Sequence, residues 1–331
     1  MNAEHFAEAA RKPVYAAVIP VAGLGTRTFP ASIATPKNLL PALESPLIML
    51  AVEEALEAGI QKVVIVCGPG DQPAYEKLFQ KNPALEEKLA KGNKTRELAV
   101  VRKLAEYADH ITYVVQDEPK GLGHAIYQAR DHINKLPFAV ILPDDHYDSG
   151  KHPGALSQMM DVYRKHGGNI MCSLEVPEKD VSRYGIVQYT EGEDGIAQVS
   201  AVKEKPKSSA EVGGSRLAIM GRDICQPELM DILATQEPTA GGEIQLRDAQ
   251  MKLLQQPGQA FYAVEPIANR YDYGSIEGRI EAEVQLGLRE HPEYYEKAVR
   301  AAEYVDPDSP LAQKAKAKQG PAPLPPGFLG A

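Results

Sequence analysis

Residues 14–27 read VYAAVIPVAGLGTR, an apolar run rich in Val and Ile that passes at once into a glycine-rich loop. The run has no polar alternation, so it reads as a strand buried on both faces and ending where the glycines begin. Residues 46–58 (PLIMLAVEEALEA) have helical spacing, with Pro46 suited to a first turn and Gly59 to a stop. KVVIVCG at 62–68 is a second buried strand. Strand, helix and strand over about 50 residues make a βαβ unit, and such a unit demands a parallel pairing.

Outward from this unit the pattern continues. Residues 74–109 are charged and helical in spacing, broken at Gly92 and Asn93, and read as a helical insertion. ITYVVQ (111–116) is a third strand, HAIYQARDHI (124–133) a helix, and FAVILPDD (138–145) a fourth strand ending in two carboxylates. A helix at 154–166 leads to NIMCSLEV at 169–176. A β-rich stretch follows, with GIVQYT, IAQVSAVKEKP and SRLAIMGRDIC, then helices at 243–256 and 275–290 around a strand AFYAVEPI. From Asp306 the chain turns to Pro, Ala, Lys and Gly, a composition that buries too little apolar surface to order itself. The expected organisation is an N-terminal extension (1–13), one domain (14–305) with a helical insertion at 70–110, and a flexible tail (306–331).

Composition narrows the class. The 331 residues, 44% hydrophobic and 24% charged, suit a globular protein with a large core. A net charge of −9 without a basic arm or patch argues against nucleic acid as a partner. The first residues, MNAEHFAEAARKP, lack the apolar stretch of a signal peptide, and no run nears the roughly 18 apolar residues of a membrane span. Cys67, Cys172 and Cys225 lie far apart, with no CxxC pair, so a reducing, cytoplasmic location is expected.

Five short motifs can carry chemistry. Gly23-Leu24-Gly25-Thr26-Arg27 follows a strand; glycines let backbone amides approach phosphate oxygens, although a plain tight turn uses the same residues. It lacks the third glycine of a dinucleotide fingerprint and the GKS or GKT of a P-loop. Thr35-Pro36-Lys37 sets a lysine close behind that loop, where it is either a surface residue or a phosphate partner. Asp144-Asp145 ends an apolar strand, the place where α/β sheets bind ligands, and hard oxygen donors suit Mg²⁺. Glu204-Lys205-Pro206 and Asp272, within YDYG at 271–274, are ambiguous alone, since a charged strand end and a polar turn look the same.

Their order is informative where the members are not. AVIPVAGLGTR (17–27), TPKNLLP (35–41), SPLIMLAVEEALEAGIQKVVIV (45–66), PKGLGHAI (119–126), VILPDD (140–145), YGIV (184–187), VKEKPK (202–207), LAIMGR (217–222), GGEIQLRDA (241–249) and YDYG (271–274) span nearly all of 14–290. This series resembles the sugar-1-phosphate nucleotidyltransferases, and among them the bacterial UTP–glucose-1-phosphate uridylyltransferases. The resemblance implies an α/β fold with a Rossmann-like mixed, mostly parallel central sheet flanked by helices, a helical insertion and a small β-rich sugar-side region. It implies that UTP and glucose 1-phosphate give UDP-glucose and pyrophosphate with Mg²⁺, in a homo-oligomer, dimer or tetramer.

Residue by residue, the resemblance places Ala22 and Gly23 on the base, Gly25, Thr26 and Arg27 on the triphosphate, and Lys37 on a phosphate. Gln116 and Gly121 fall where the uracil edge is read. Asp144 and Asp272 fall on the metal pair. Asp145, Tyr184, Gly185, Glu204 and Lys205 fall on the sugar-phosphate side, with Arg27, Lys37 and Lys205 as the cations that stabilise the reacting phosphates. Relatives usually read TKAxPKEMLP and GDEIQLTDA; here Ile33 and Asn38 stand for a lysine and a glutamate, and Gly242 and Arg247 for an aspartate and a threonine. Thr28-Phe29 replaces a more apolar pair. Because the departures include sugar-side positions, another sugar phosphate or dTTP, and an inactive nucleotide-binding homologue, stay open. A dehydrogenase lacks its fingerprint.

Overall fold

The apolar run at 14–21 forms the strand β1 (Ala16–Pro20), and its neighbours in the sheet explain why it has no polar face. In the computed structural model, which describes residues 12–192, 195–239 and 241–297, β1 lies between β2 (Lys62–Cys67) and β4 (Phe138–Ile141), parallel to both. β3 (Ile111–Val115) extends the parallel set beyond β2. Side chains alternate across a strand, and both faces are covered here. Ala17 and Ile19 join Val63, Ile65, Ala139 and Ile141 in one apolar core; Ala16 and Val18 join Val64, Val66, Phe138 and Val140 in a second.

Helices supply the two covers. α1 (Leu47–Glu57) buries Leu47, Ile48, Ala51, Val52 and Ala55, one stripe of its surface, and the last four join the first core. Pro46 caps this helix from outside instead of occupying its first turn, and Gly59, at φ 89°, follows its end in the left-handed conformation that glycine adopts readily. The expected insertion is three helices: α2 (Gln72–Phe79), α3 (Pro83–Lys91) and α4 (Thr95–Tyr107), with the break between the last two at Gly92 and Asn93. Only Tyr75, Phe79 and Ala105 of these helices are buried, so the insertion is anchored at its ends and otherwise solvated. α5 (Leu122–Gln128) covers the second face.

The carboxylate-bearing segment departs from the expected strand. β4 stops at Ile141, because Pro143 has no N–H for the ladder. The chain turns, Asp145 N donating to Leu142 O at 3.2 Å, and resumes as β5 (Asp145–Asp148) in a separate two-stranded sheet. Asp144 thus sits on the turn between two sheets.

α6 (Ala155–His166) leads to β6 (Asn169–Glu175), then β7 (Gly185–Glu191), β8 (Ala197–Glu204) and β9 (Leu217–Cys225). After α7 (Glu228–Thr235) and α8 (Leu246–Leu254) come β10 (Phe261–Val264) and β11 (Asn269–Asp272). Among the described residues the main sheet has nine strands, in the order β3-β2-β1-β4-β9-β6-β10-β8-β7. The parallel character expected holds through its first four strands. Beyond them the pairings of β9 with β4 and β6, and of β8 with β7 and β10, are antiparallel, and β6–β10 is parallel.

β11 pairs antiparallel with β5 so that Asp272 faces Asp145. The described residues divide into two compact units after Ile280, inside the helix α9 (Ile276–Glu290); the second holds the rest of α9 and a short turn of helix at Pro292–Tyr294. The tail expected from 306 and most of the expected N-terminal extension lie outside the described residues.

Candidate active site

The glycine loop, Gln116 and Asp144 all follow the carboxyl ends of parallel strands, β1, β3 and β4, which is where α/β sheets form ligand crevices. The loop's two glycines differ in kind. Gly25 has φ 62°, and a Cβ there would lie 3.0 Å from Lys37 Cβ and 3.2 Å from Ser32 Cβ. Its carbonyl accepts from Thr28 Oγ1 (2.8 Å) and Ser32 Oγ (2.7 Å), so the protein itself requires glycine. A Cβ on Gly23 would meet no heavy atom within 4 Å, and its φ is not in the left-handed range. Nothing in the fold demands glycine at 23, and the space beside it is open to close approach of a ligand. Gly23→Ala should therefore leave the thermal midpoint within about 1 °C of the parent while weakening triphosphate binding about tenfold or more. Gly25→Ala should lower the midpoint itself. Differential scanning calorimetry and UTP titration of both variants check this, and an unchanged UTP affinity in Gly23→Ala would remove Gly23 from the site.

Across the loop, a cavity of about 180 Å³ is walled by Gly23, Thr26, Arg27, Lys37, Tyr273 and Gly274. Lys37 Nζ lies 2.6 Å from Asp144 Oδ2, with both side chains mostly buried. Burial pushes the Asp144 carboxyl up, but Lys37 and Arg27 outweigh it and hold it below the usual carboxylate range. A Cβ built on Gly274 would lie 3.0 Å from Asp272 Oδ1, 3.3 Å from Asp144 Oδ2 and 3.7 Å from Arg27 Nη1. Two carboxylate oxygens and a guanidinium thus flank one point, from three segments far apart in sequence. Backbone bonds hold them there: Tyr273 N donates to Asp144 O at 2.7 Å, and Gly274 N to Asp272 Oδ1 at 2.8 Å.

The described residues contain no group of three or more His, Cys, Asp or Glu side chains gathered as a metal cage. Two hard carboxylates beside the glycine-loop cavity still fit Mg²⁺, which takes one or two protein carboxylates and fills its other positions with water and phosphate oxygens.

Asp145, adjacent in sequence, is engaged differently. Its carboxylate pairs with Arg270, and Gly221 leaves room for it: a Cβ at 221 would fall 2.6 Å from Asp145 Oδ2. Burial pushes the Asp145 carboxyl up, against the pull of Arg270. Arg270 also lies over the Tyr184 ring, 5.7 Å from its centroid, and so joins Asp145 to Tyr184. Tyr184 O accepts from Lys205 N at 2.9 Å, Gly185 pairs with Glu204, and a Cβ on Gly185 would fall 2.9 Å from Glu204 Oε2. Lys205 has φ 47°, uncommon for a side chain with a Cβ, where β8 ends. That turn lets Glu204 and Lys205, which would point to opposite faces of a continuing strand, come within 3.9 Å.

Gln116 is 4% exposed, and its Nε2 donates to Gly121 O at 3.2 Å. Gly121 (φ 93°) and Gly123 admit the segment after Gly242. Added Cβ atoms would lie 2.9 Å and 2.8 Å from Ile244 O, and Gly123 N donates to that oxygen at 2.8 Å. Each departure has its own setting. Ile33 is exposed, Asn38 is buried opposite Tyr75, and Arg247 pairs with the buried Asp223 at 2.7 Å. Thr28 bonds the loop, Phe29 is exposed, and Gly242 lies at φ 79° with open space around it.

Residues 16–287 match the family described as nucleotidyl transferases. The chain belongs to the nucleotidyl transferase family. Among relatives of this nucleotidyl transferase, the UTP–glucose-1-phosphate uridylyltransferase of Bacillus subtilis is 42% identical over 279 residues, covering 84% of this chain and 93% of the relative. That of Staphylococcus epidermidis is 41% identical over 279 residues, covering 84% and 94%. A solved UDP-glucose pyrophosphorylase complexed with UDP-glucose has a TM-score of 0.74 at 35% identity, over 84% of this chain and all of that one. A UTP-bound enzyme from Acinetobacter baumannii gives 0.78 at 31%, over 89% of this nucleotidyl transferase and all of that chain.

A larger cleft, about 450 Å³, lies among Lys12, Tyr127, Arg130 and Glu228. It contains none of the motif residues, so its size does not make it the reaction site. Sequence reading passed over Arg270, although it directly precedes the Tyr271-Asp272 motif, and gave no role to His124 inside the quoted PKGLGHAI.

Proposed function

We propose that this chain transfers the uridylyl group of UTP to glucose 1-phosphate, releasing pyrophosphate and forming UDP-glucose. One observation carries the proposal: Asp144, Asp272 and Arg27 converge beside the glycine-loop cavity. Tyr184, Gly185, Glu204 and Lys205, linked to Asp145 through Arg270, are the proposed sugar side. The attacking phosphate oxygen is already anionic, so no general base is required. The obstacle is the approach of two anions. Arg27 and Lys37 face the triphosphate cavity and Lys205 the sugar phosphate, and fixed cations of this kind lower the barrier by positioning and electrostatics. Asp144 and Asp272 would hold Mg²⁺, which when bound supplies charge neutralisation at the phosphates. Ala22 and Gly23 meet the base, Gly25 and Thr26 shape the phosphate cradle, and Asp145 orients the sugar side through Arg270.

The deciding experiment measures pyrophosphate release over a panel of triphosphates and sugar 1-phosphates. UTP with glucose 1-phosphate should give the highest kcat/KM; preference for dTTP or another sugar phosphate would move the assignment within the family, and no turnover would favour an inactive homologue. Free, buried Cys67, Cys172 and Cys225 support a reducing cytoplasmic setting. A homo-oligomer, dimer or tetramer, rests on the resemblance alone, and sedimentation tests it.

Lys205 gives a sharper test of how the pocket is divided. A charge-assisted contact to phosphate is worth roughly 1.5–3 kcal/mol. Lys205→Ala should lower kcat/KM for the sugar phosphate by about 10- to 10²-fold and leave UTP affinity nearly unchanged. Loss of triphosphate affinity with an unchanged sugar-phosphate KM would put Lys205 in the nucleotide site.

A further inference from the structure

Gln116 makes both of its side-chain hydrogen bonds through one atom. Nε2 lies 3.2 Å from Gly121 O and 2.8 Å from His124 Nδ1. A backbone carbonyl only accepts, so the amide must turn its NH₂, not its oxygen, toward Gly121. His124 Nδ1 then meets a donor and has to be the bare nitrogen of a neutral ring, with the proton on Nε2. Nε2 lies 2.9 Å from Gln128 Nε2, which also donates to His124 O at a long 3.4 Å; a half-turn about the last Gln128 bond gives up that weak contact and offers the ring the amide oxygen. Burial, and then Lys120, hold His124 below its ordinary range, with Glu118 opposing them, so the ring is neutral near pH 7. With NH₂ committed twice, Gln116 Oε1 has no hydrogen-bond partner among the described residues.

We propose that His124 is a positioning residue for base selection: its bare Nδ1 locks the Gln116 amide so that Oε1 accepts the N3–H of uracil or thymine. The inference rests on Gln116 meeting the base, as the proposed function has it. Cytosine presents a lone pair at N3, and a locked carbonyl opposite it gives lone pair against lone pair. Without the lock, the amide can turn over and offer its NH₂ to cytosine. A site built around one donor or acceptor discriminates strongly, because the wrong base leaves a buried polar group unpaired.

The test is the ratio of kcat/KM for UTP to that for CTP, with glucose 1-phosphate saturating. His124→Leu removes the acceptor and should lower this ratio by about 10- to 100-fold, with the KM for glucose 1-phosphate unchanged. His124→Asn can place an amide oxygen where Nδ1 stood and should keep the ratio within about threefold. Equal losses on both triphosphates in His124→Leu, or loss of the ratio in His124→Asn as well, would reduce His124 to packing. Gln116→Leu separates the premise: an unchanged ratio there means that Gln116 does not read the base, whatever His124 does. If His124→Leu fails to fold, ¹⁵N spectra of the histidine-labelled parent decide, with His124 assigned as the signal missing from His124→Asn. The proposal requires a bare Nδ1 and a protonated Nε2, and the opposite tautomer overturns it.

Discussion

Asp144→Ala is expected to lower kcat on the order of 10³-fold, because it removes a carboxylate from the point where Asp272 and Arg27 also converge. Several kcal/mol of transition-state stabilisation are at stake, since a divalent cation held by one carboxylate sits less firmly and less accurately. The change also strips Lys37 of its 2.6 Å partner. Lys37→Ala, measured alongside, shows how much of the loss belongs to that pair. Calorimetric titration with Mg²⁺ in the presence of UTP should show weakened metal binding in Asp144→Ala. If the variant keeps most of its kcat and still needs metal, the ligand has been misassigned.

Glu54→Ala should produce the largest loss of stability. Arg222 is fully buried, its Nε lies 3.1 Å from both Glu54 oxygens and its Nη2 2.7 Å from Oε2, while Nη1 donates to Leu142 O and Gly221 O. Glu54 Oε1 also accepts from Leu156 N at 3.2 Å. Removing one partner of a buried pair leaves an uncompensated charge, at a cost of about 3–5 kcal/mol. Denaturant titration reads the loss directly, and a change below about 1 kcal/mol would mean that water or a neighbour takes over from Glu54. Glu54→Leu combined with Arg222→Met should recover most of the stability, since apolar replacement of a whole buried pair is often neutral or better. Because the guanidinium holds the carbonyl of Leu142, two residues before Asp144, Glu54→Ala should also depress kcat.

The parallel half of the sheet was legible because its strands are buried on both faces, so VYAAVIPV and KVVIVCG appear as unbroken apolar runs. The helical insertion was legible from charge and the Gly92-Asn93 break. The continuous strand read over 138–145 was not, since Leu142 and Pro143 extend the apolar run while Pro143 ends the ladder. Short motifs held residues that the fold brings around one cavity, Gly23, Thr26, Arg27, Lys37 and Gly274 among them. The supporting pairs were hidden. Glu54 and Arg222 are 168 positions apart, and Arg247 and Asp223 sit on different elements. No local pattern announces that two charges will be buried together. Asn38 shows the same limit: its substitution for glutamate was visible, but its burial opposite Tyr75 required the fold.

The placement of Asp144 on a turn between two sheets has a consequence for synthesis on the ribosome. A nascent chain that has emerged as far as Asp145 already contains the glycine loop, Lys37, 107 positions before its partner Asp144, and four parallel strands. It has no Asp272, and it lacks Tyr273, just past the end of β11, whose N–H donates to Asp144 O and anchors the turn. Contacts of such long sequence separation form late. The cluster around Asp144 is therefore completed only after residues 272 and 273 have emerged, well after the glycine loop, and an aborted chain stopping before residue 272 would hold the loop without the second carboxylate.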